Sequence, residues 1–304
     1  EYIDTSGCTA AVTSIGHGIE EIAQALSEQA KKLAVYPTHL FYNETLENYL
    51  KNLCDFSPKG FNRAWTICGG TEAIENSIKL AYQYHKSLGR NRTKVIGRWG
   101  SYHGNSLTTL DVGGMKARRD YYRDLMLDHL HVDPCFPYRA PENMTLVQYE
   151  DFLIQQFQKI VESEQGNILA FVAEPIVGAA LGAVSPTSNY FKRIYEICYE
   201  HDILLIADEV MTGFGRTGAN FGIEKFGGYA DILASAKGIS GGYFPLGAIT
   251  AHNRVMNVIE ESGQPFFSGQ TYSCIPLAAA VGDATLNFIK KHKLVENSKE
   301  VGGY

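Results

Sequence analysis

No two cysteines in this chain are spaced as Cys-x-x-Cys, although it holds six: Cys8, Cys54, Cys68, Cys135, Cys198 and Cys274. That absence removes zinc-ribbon and dithiol redox motifs. The scatter, typified by Cys198 between Ile197 and Tyr199, reads as reduced thiols acting as small hydrophobes rather than as a disulfide framework. Metal-ligand spacing is missing from the histidines too: the one close pair, His129 and His131, has no third ligand nearby and reads as surface or loop, so no metal is expected. Positive charge is not in excess, with 27 Lys and Arg against 33 Asp and Glu and a net charge of −6, which argues against a nucleic-acid partner. The short basic run Lys116, Arg118 and Arg119 is neighboured by Asp120 and Asp124 and reads as solvated surface. No apolar run is long enough to span a membrane, and the start carries no signal-peptide pattern, so no membrane partner and a cytoplasmic location are expected. Internal repeats, low-complexity stretches, a Walker loop and a dinucleotide fingerprint are all absent.

What the chain does have is apolar material: 45% hydrophobic and 12% aromatic residues in 304, enough for a sizeable core and too much for disorder. Short apolar runs alternate with longer helical patterns. Residues 63–68, 93–96, 167–173, 203–207, 232–236 and 246–251 read as strands, and 71–88 and 190–199 as helices. The run 203–207 is almost continuously apolar, as a strand buried on both faces requires. Strand, helix and strand at this spacing predict an α/β domain with a mostly parallel sheet flanked by helices. Before it, 18–33 and 46–53 carry helical patterns with little strand signal, so residues 1–60 read as an N-terminal segment packed on a large domain at 61–285. Residues 286–304, with Ile289, Leu294 and Val295 in helical phase, read as the start of a C-terminal small domain. The first residue is Glu1, not Met, and the last helical pattern has no obvious finish. The natural N-terminus and the rest of that small domain are therefore expected to lie outside this sequence.

In a parallel sheet, ligands bind where strand carboxyl ends meet helix N-termini. Three features fall there. Cys68-Gly69-Gly70-Thr71-Glu72-Ala73 runs from strand through two glycines into a helix. Its backbone could approach an anion closely, with first-turn N–H groups and the Thr71 hydroxyl, capping the helix, at hand. A tight turn without any ligand reads equally well. Ile206-Ala207-Asp208-Glu209-Val210 sets two carboxylates after a buried strand, which is costly unless they are paired or employed. Either they cap a loop, or Asp208 faces a cation such as a protonated ring nitrogen. Ala234-Ser235-Ala236-Lys237-Gly238 ends an apolar strand on a lysine entering a glycine-rich loop. Lysines usually lie on solvated faces, but a desolvated one has a lowered pKa and a usable nucleophilic amine.

Taken together, these features resemble the class III aminotransferases, fold type I enzymes of pyridoxal phosphate. The resemblance covers nearly the whole chain, from Asp4-Thr5-Ser6-Gly7 and Ile15-Gly16-His17-Gly18 to Pro276-Leu277. Between them stand Gly70-Thr71-Glu72-Ala73-Ile74-Glu75, Tyr102-His103-Gly104 and Ala173-Glu174-Pro175. Asp208-Glu209-Val210 follows, then Gly213-Phe214-Gly215-Arg216-Thr217-Gly218, the most specific stretch, then Ala236-Lys237-Gly238. Tyr243-Phe244-Pro245-Leu246-Gly247-Ala248 and Ser268-Gly269-Gln270-Thr271-Tyr272 complete the set. The resemblance implies that Lys237 holds the cofactor as a Schiff base and then moves the proton, and that Asp208 faces the pyridine nitrogen. It implies further that Val210 and Tyr102 cover the two ring faces, that Glu174 lies near the ring hydroxyl, and that Gly70 and Thr71 hold the phosphate. The threonine matching Thr271 reaches the phosphate of the neighbouring subunit in this family, which implies a homodimer with shared sites. Arg216 is expected to hold the loop after Asp208.

The partners so implied are a small-molecule amino donor and a keto-acid acceptor such as pyruvate. Ornithine- and γ-aminobutyrate-type members carry a glutamate shortly after the Glu-Pro motif, whereas this chain continues Ile176-Val177-Gly178-Ala179-Ala180-Leu181, with alanine there. That departure argues against those two activities and towards the ω-amino acid:pyruvate and biotin-synthesis branch. Two other readings stay open: a different reaction on the same scaffold, such as decarboxylation or amino-group migration, and a non-catalytic binding relative. The joint presence of Lys237, Asp208 and Thr271 weighs against the second.

Overall fold

The computed structural model describes residues 2–164 and 166–303; Glu1, Gln165 and Tyr304, two of them the outer ends of the expected terminal segments, lie outside the described residues. Among the described residues seven strands form one sheet: β1 (Phe61–Ile67), β2 (Lys94–Arg98), β3 (Leu130–Val132), β4 (Ile168–Ala173), β5 (Leu204–Asp208), β6 (Ile232–Ser235) and β7 (Gly247–His252). Their order across the sheet is β1-β7-β6-β5-β4-β2-β3. The pairs from β6 through β5, β4 and β2 to β3 are parallel, and β7 alone runs against both its neighbours. The carboxyl ends of β1, β2, β4, β5 and β6 therefore emerge along one edge, where the sequence reading put the site.

Alternation of side chains explains why the central strands are apolar throughout. Phe171 and Ala173 of β4 and Leu205 and Ala207 of β5 enter one core, while Ala170, Val172, Leu204 and Ile206 enter the other. Helices α3 (Gly70–Ser87) and α8 (Asn253–Glu261) line the second core with Ile74, Ile78, Ala81, Val255 and Ile259. The first core is lined by α2 (Glu44–Phe56), α6 (Leu146–Ser163), α7 (Tyr190–Glu200) and α9 (Pro276–Lys291). Helix α1 (Glu20–Lys32) packs on α9 and has Glu20 and Glu21 in its first turn and Lys31 and Lys32 in its last, each favourable to the helix dipole. Two short helices, α4 (Leu107–Val112) and α5 (Lys116–Tyr121), follow β2, and α10 (Leu294–Val301) follows α9.

Besides the short α4 and α5 and most of α9, three elements were not read from the sequence. Helix α6 has a clear signal: a Thr145–Gln148 capping box, then Tyr149, Leu153, Ile154, Phe157 and Val161 buried at helical spacing. Helix α8 presents only Val255 and Ile259 inward, and β3 is three residues long, too short for a period to register. That last omission misplaced two histidines. Neither His129 nor His131 is a surface residue: His129, in the loop just before β3, is buried and receives a hydrogen bond from Val95 N at 3.4 Å, and His131 lies within β3, paired with β2. His131 stacks on Trp99 with centroids 4.2 Å apart, and burial lowers the pKa of both imidazoles. The basic run is only partly solvated. Arg119 pairs with buried Asp111 at 2.7 Å and, with Lys116, covers the Trp99 ring; Arg118 lies 5.2 Å from the Tyr102 ring centroid. All six cysteines are free.

Candidate active site

The chemistry gathers at the carboxyl edge of the sheet, in a cavity of about 170 Å³. Seven of the eight residues anticipated from sequence line it: Gly70, Thr71, Tyr102, Glu174, Asp208, Val210 and Lys237. The eighth, Thr271, lies instead on an exposed loop of the same chain. A larger groove of about 780 Å³ runs along α3 between Ile78, Tyr82, Leu127 and Phe267, away from Lys237 and Asp208.

Each group owes its position to the strand that ends beneath it. After β1 the chain turns through Gly69 and begins α3 at Gly70, so Gly69, not Thr71, is the N-cap, and Thr71 lies inside the first turn. Its hydroxyl accepts a hydrogen bond from Asn105 N at 3.3 Å instead of capping the helix. The turn is held by Glu72, whose Oε2 accepts from Cys68 N at 2.8 Å. First-turn N–H groups have no partner within a helix, and with the helix dipole they favour an anion at this corner. Gly104 has φ +140°, and a Cβ there would come within 2.7 Å of Thr71 Oγ1; only glycine lets the Tyr102–Gly104 segment approach so closely.

The carboxylate pair at the end of β5 is divided between two tasks. Asp208 is 3% exposed; its Oδ1 accepts from Val210 N at 3.1 Å, and its Oδ2 lies 2.7 Å from His103 Nδ1. A carboxylate can only accept, so the proton of that bond belongs to Nδ1. Glu209 turns away from the cavity and is fully buried. Its two oxygens accept from Thr212 Oγ1, Gly222 N and Ile223 N, pinning the short helical turn Gly222–Phe226. Burial outweighs these donors and pushes its pKa up to about 7. Glu209 thus takes the loop-capping reading of the pair, whereas Asp208 stays at the cavity with His103 and Val210 as its partners.

Lys237 follows β6 at the start of a short helical turn, with φ at +49°. A left-handed conformation costs a non-glycine residue roughly 1–2 kcal/mol, so the surrounding packing must impose it. Burial is the largest influence on its amine and lowers the pKa below the usual 10.5, while the facing charges of Asp208 and Glu174 oppose that shift. Glu174, just past β4, is 5% exposed; Oε1 accepts from Gly178 N at 3.2 Å, and Oε2 is buried with no partner among the described residues. Burial raises its pKa, which favours a neutral carboxyl able to donate. Beneath it the buried Arg98 donates to the Glu174 carbonyl at 2.5 Å. Arg216, exposed, donates to Ala11 O at 3.1 Å and so ties the loop after Asp208 to the N-terminal segment.

His103, Met211 and Ala236 also line the cavity and were not selected from sequence. His103 could have been: it adjoins Tyr102 in a quoted motif, but nothing local says that it faces a carboxylate 105 positions away. Its Nε2 is buried without a partner among the described residues. Among them, no group of His, Cys, Asp or Glu is arranged to hold a metal ion. An anion corner, an amine of lowered pKa and a buried carboxylate, in one cavity that Val210 and Tyr102 also line, suit a phosphorylated aromatic aldehyde with a basic ring nitrogen. Pyridoxal phosphate has that chemistry.

A family model described as Aminotransferase class-III matches residues 1–304. The chain is 35% identical over 299 residues to an uncharacterized aminotransferase of Schizosaccharomyces pombe, covering 97% of this chain and 65% of that one. It is 33% identical over 291 residues to the putrescine–pyruvate aminotransferase of Pseudomonas aeruginosa, covering 94% and 63%. A solved transaminase from the marine bacterium Virgibacillus superposes with a TM-score of 0.92 at 36% identity, covering 99% of this chain and 66% of that one. An omega transaminase from Pseudomonas jessenii, solved in complex with PMP, gives 0.92 at 28%, covering 97% and 66%. The chain thus spans slightly less than two thirds of the curated relatives just named.

Proposed function

The chain belongs to the class-III aminotransferase family, and from that premise we propose that it is part of a pyridoxal-phosphate-dependent transaminase moving an amino group from an amine or amino acid, ω-amino compounds included, to a keto acid such as pyruvate. The observation that carries the reading is one cavity lined by the Lys237 amine, the Asp208 carboxylate and the first turn of α3. The names of two relatives, a putrescine–pyruvate aminotransferase and an omega-aminotransferase of Caulobacter vibrioides, support the substrate class, as does Ala179 after the Glu-Pro motif.

When bound, the cofactor supplies a carbonyl that condenses with amines and a ring that takes up the electron pair released from a substrate carbon. Lys237 Nζ, its pKa lowered by burial, would be the amine that holds the cofactor, and as a free amine it would be the base that takes a proton from the substrate α-carbon. Asp208 holds the proton of the ring nitrogen, and His103 fixes that carboxylate in place through Oδ2. The N–H groups of Gly70 and Thr71 would hold the phosphate, Val210 and Tyr102 would lie against the ring, and Glu174, its Oε2 without a partner among the described residues, would serve the ring hydroxyl. Thr271 serves the phosphate site of a partner subunit in a homodimer. The apolar groove along α3, lined in part by exposed Phe267, supports such an interface. We assign residues 61–285 to the cofactor-binding large domain, 1–60 to an N-terminal segment and 286–304 to the start of a small domain. A cytoplasmic location is proposed; no helix among the described residues is long and apolar enough to cross a membrane.

The test is direct. Protein with added cofactor should develop the visible band of a lysine-bound cofactor, and borohydride should fix the label on the peptide containing Lys237. Asp208→Asn should keep the band and lose most turnover. Labelling at another lysine, or unchanged turnover in the asparagine variant, would remove these roles. Half-reactions with a panel of amino donors then identify the substrate.

A further inference from the structure

The loop that carries Thr271 is fixed at both ends to its own protomer. Ser268 Oγ donates to Asn76 Oδ1 at 2.5 Å and accepts from Lys79 Nζ at 3.0 Å. One turn further along α3, Gln83 bonds the start of the loop twice: Nε2 donates to Pro265 O at 2.8 Å, and Oε1 accepts from Phe267 N at 3.0 Å. At the far end Ser273 Oγ donates to Gln270 Oε1 at 2.8 Å, and Cys274 N donates to Thr66 O at 3.0 Å. Thr271 and Tyr272 stand exposed between these two anchors.

Asn76 is the unusual member. It sits inside a helix and is 1% exposed, a place where an amide is costly unless both its ends are bonded, and where asparagine offers no helix propensity. Here both ends are bonded. Its Oδ1 takes the Ser268 hydroxyl, and its Nδ2 donates to Glu72 O at 2.7 Å. Glu72 in turn holds Cys68 N, at the turn that leads into the anion corner. One buried amide therefore joins the phosphate turn of its own protomer to the loop that carries Thr271.

We propose that Asn76, acting through Ser268, is a positioning residue that sets Thr271 for the phosphate of the cofactor in the partner subunit. The proposal rests on the shared-site dimer described above. Without the Asn76–Ser268 bond the loop keeps its Gln83 and Thr66 anchors but loses the tie to the buried amide on the N-terminal side of Thr271. The threonine then spends less time in the position that meets the phosphate.

Titration of the cofactor-free protein with pyridoxal phosphate, read from the visible band, gives the dissociation constant. Asn76→Ala, Ser268→Ala and Thr271→Ala should each weaken binding on the order of tenfold, the scale of one hydrogen bond to a charged group. Adding Ser268→Ala to Thr271→Ala should cost nothing more, because the effect runs through the threonine. A full further loss in the double variant would make Ser268 merely structural and overturn the proposal. Should Asn76→Ala fold poorly, Ser268→Ala removes the same bond from its half-exposed side.

Mixed dimers give the second readout, because a Lys237→Ala site produces no band. Lys237→Ala paired with Ser268→Ala should bind with wild-type affinity at its one visible site, since the intact loop serves it. Lys237→Ala/Ser268→Ala paired with wild type should bind about tenfold more weakly there. The reverse pattern means that the loop acts on its own protomer and refutes the proposal. If Thr271→Ala alone leaves affinity unchanged, the shared site fails, and this inference fails with it; if only the Ser268 and Asn76 variants are silent, the shared site stands and this inference alone is lost.

Discussion

Replacing His103 with phenylalanine probes the link on which the Asp208 assignment depends. In the native structure the Asp208 carboxylate has two donors, Val210 N at 3.1 Å and His103 Nδ1 at 2.7 Å. Phenylalanine keeps most of the ring volume but removes the shorter bond, leaving a 3%-exposed carboxylate with one donor. Breaking a buried charge pair costs about 3–5 kcal/mol, whereas losing one hydrogen bond to a charged group costs about 1.5–3 kcal/mol. Asp208 borders a cavity of about 170 Å³ that can admit water, so the smaller figure governs and the expected loss is about 2–3 kcal/mol. In a chain of this size that lowers the melting temperature of the cofactor-free protein by roughly 3–5 °C. His103→Gln, whose amide can still donate to Oδ2, should recover most of the loss. The same series should slow the first half-reaction by about 10–100-fold in the phenylalanine variant, because the group that holds the ring-nitrogen proton is no longer fixed. Thermal melts of the cofactor-free protein and single-turnover decay of the visible band measure the two effects. If phenylalanine melts within about 1 °C of wild type and glutamine behaves no differently, the bond carries nothing.

Glu209→Gln should lower stability by about 2–4 kcal/mol, since one amide N–H₂ would face backbone donors at Gly222 or Ile223, yet leave the cofactor dissociation constant within about twofold of wild type. Weakened cofactor binding would contradict the division of labour between the two carboxylates. Asp231, buried beside Arg254, has its pKa raised by burial from 3.8 to about 6. The native state therefore binds its proton more tightly than the unfolded chain does, and the stability it contributes at low pH is lost as pH rises through that window. The loss is about 3 kcal/mol. Melting curves of wild type and Asp231→Asn should accordingly diverge between about pH 4 and pH 6, the wild type falling relative to the variant; parallel curves would count against the assignment. For Lys237, burial favours the free amine, so the rate at which cofactor-free protein captures pyridoxal should rise with pH to a midpoint below 10.5. A midpoint at or above that value would mean that the amine is effectively solvated.

Much of the architecture was legible because its causes are local. Continuous apolar runs separated by amphipathic helices need a parallel sheet with both faces covered, and 203–207 was found as β5 within one residue at each end. Glycines after a strand mark a close backbone approach, and a lysine ending an apolar run declares that its charge lacks solvent. Helix α6 is equally local in its causes, with its capping box and buried stripe. Strand β3 was not legible: three residues carry no period, and only pairing with β2 takes His131 off the surface.

What the chain determined by itself was the set of candidate groups and the edge of the sheet on which they emerge, since each follows its own strand. Tertiary structure decided which of them meet. It separated Asp208 from Glu209, sending one to the cavity and the other to a loop, and brought His103 within 2.7 Å of Asp208 across 105 positions. It also bound Asn76 to Ser268 across 192 positions. A side chain's neighbours along the sequence report its propensity and burial. A hydrogen-bond partner contributed by a different strand or loop is fixed only when the sheet order brings the two together.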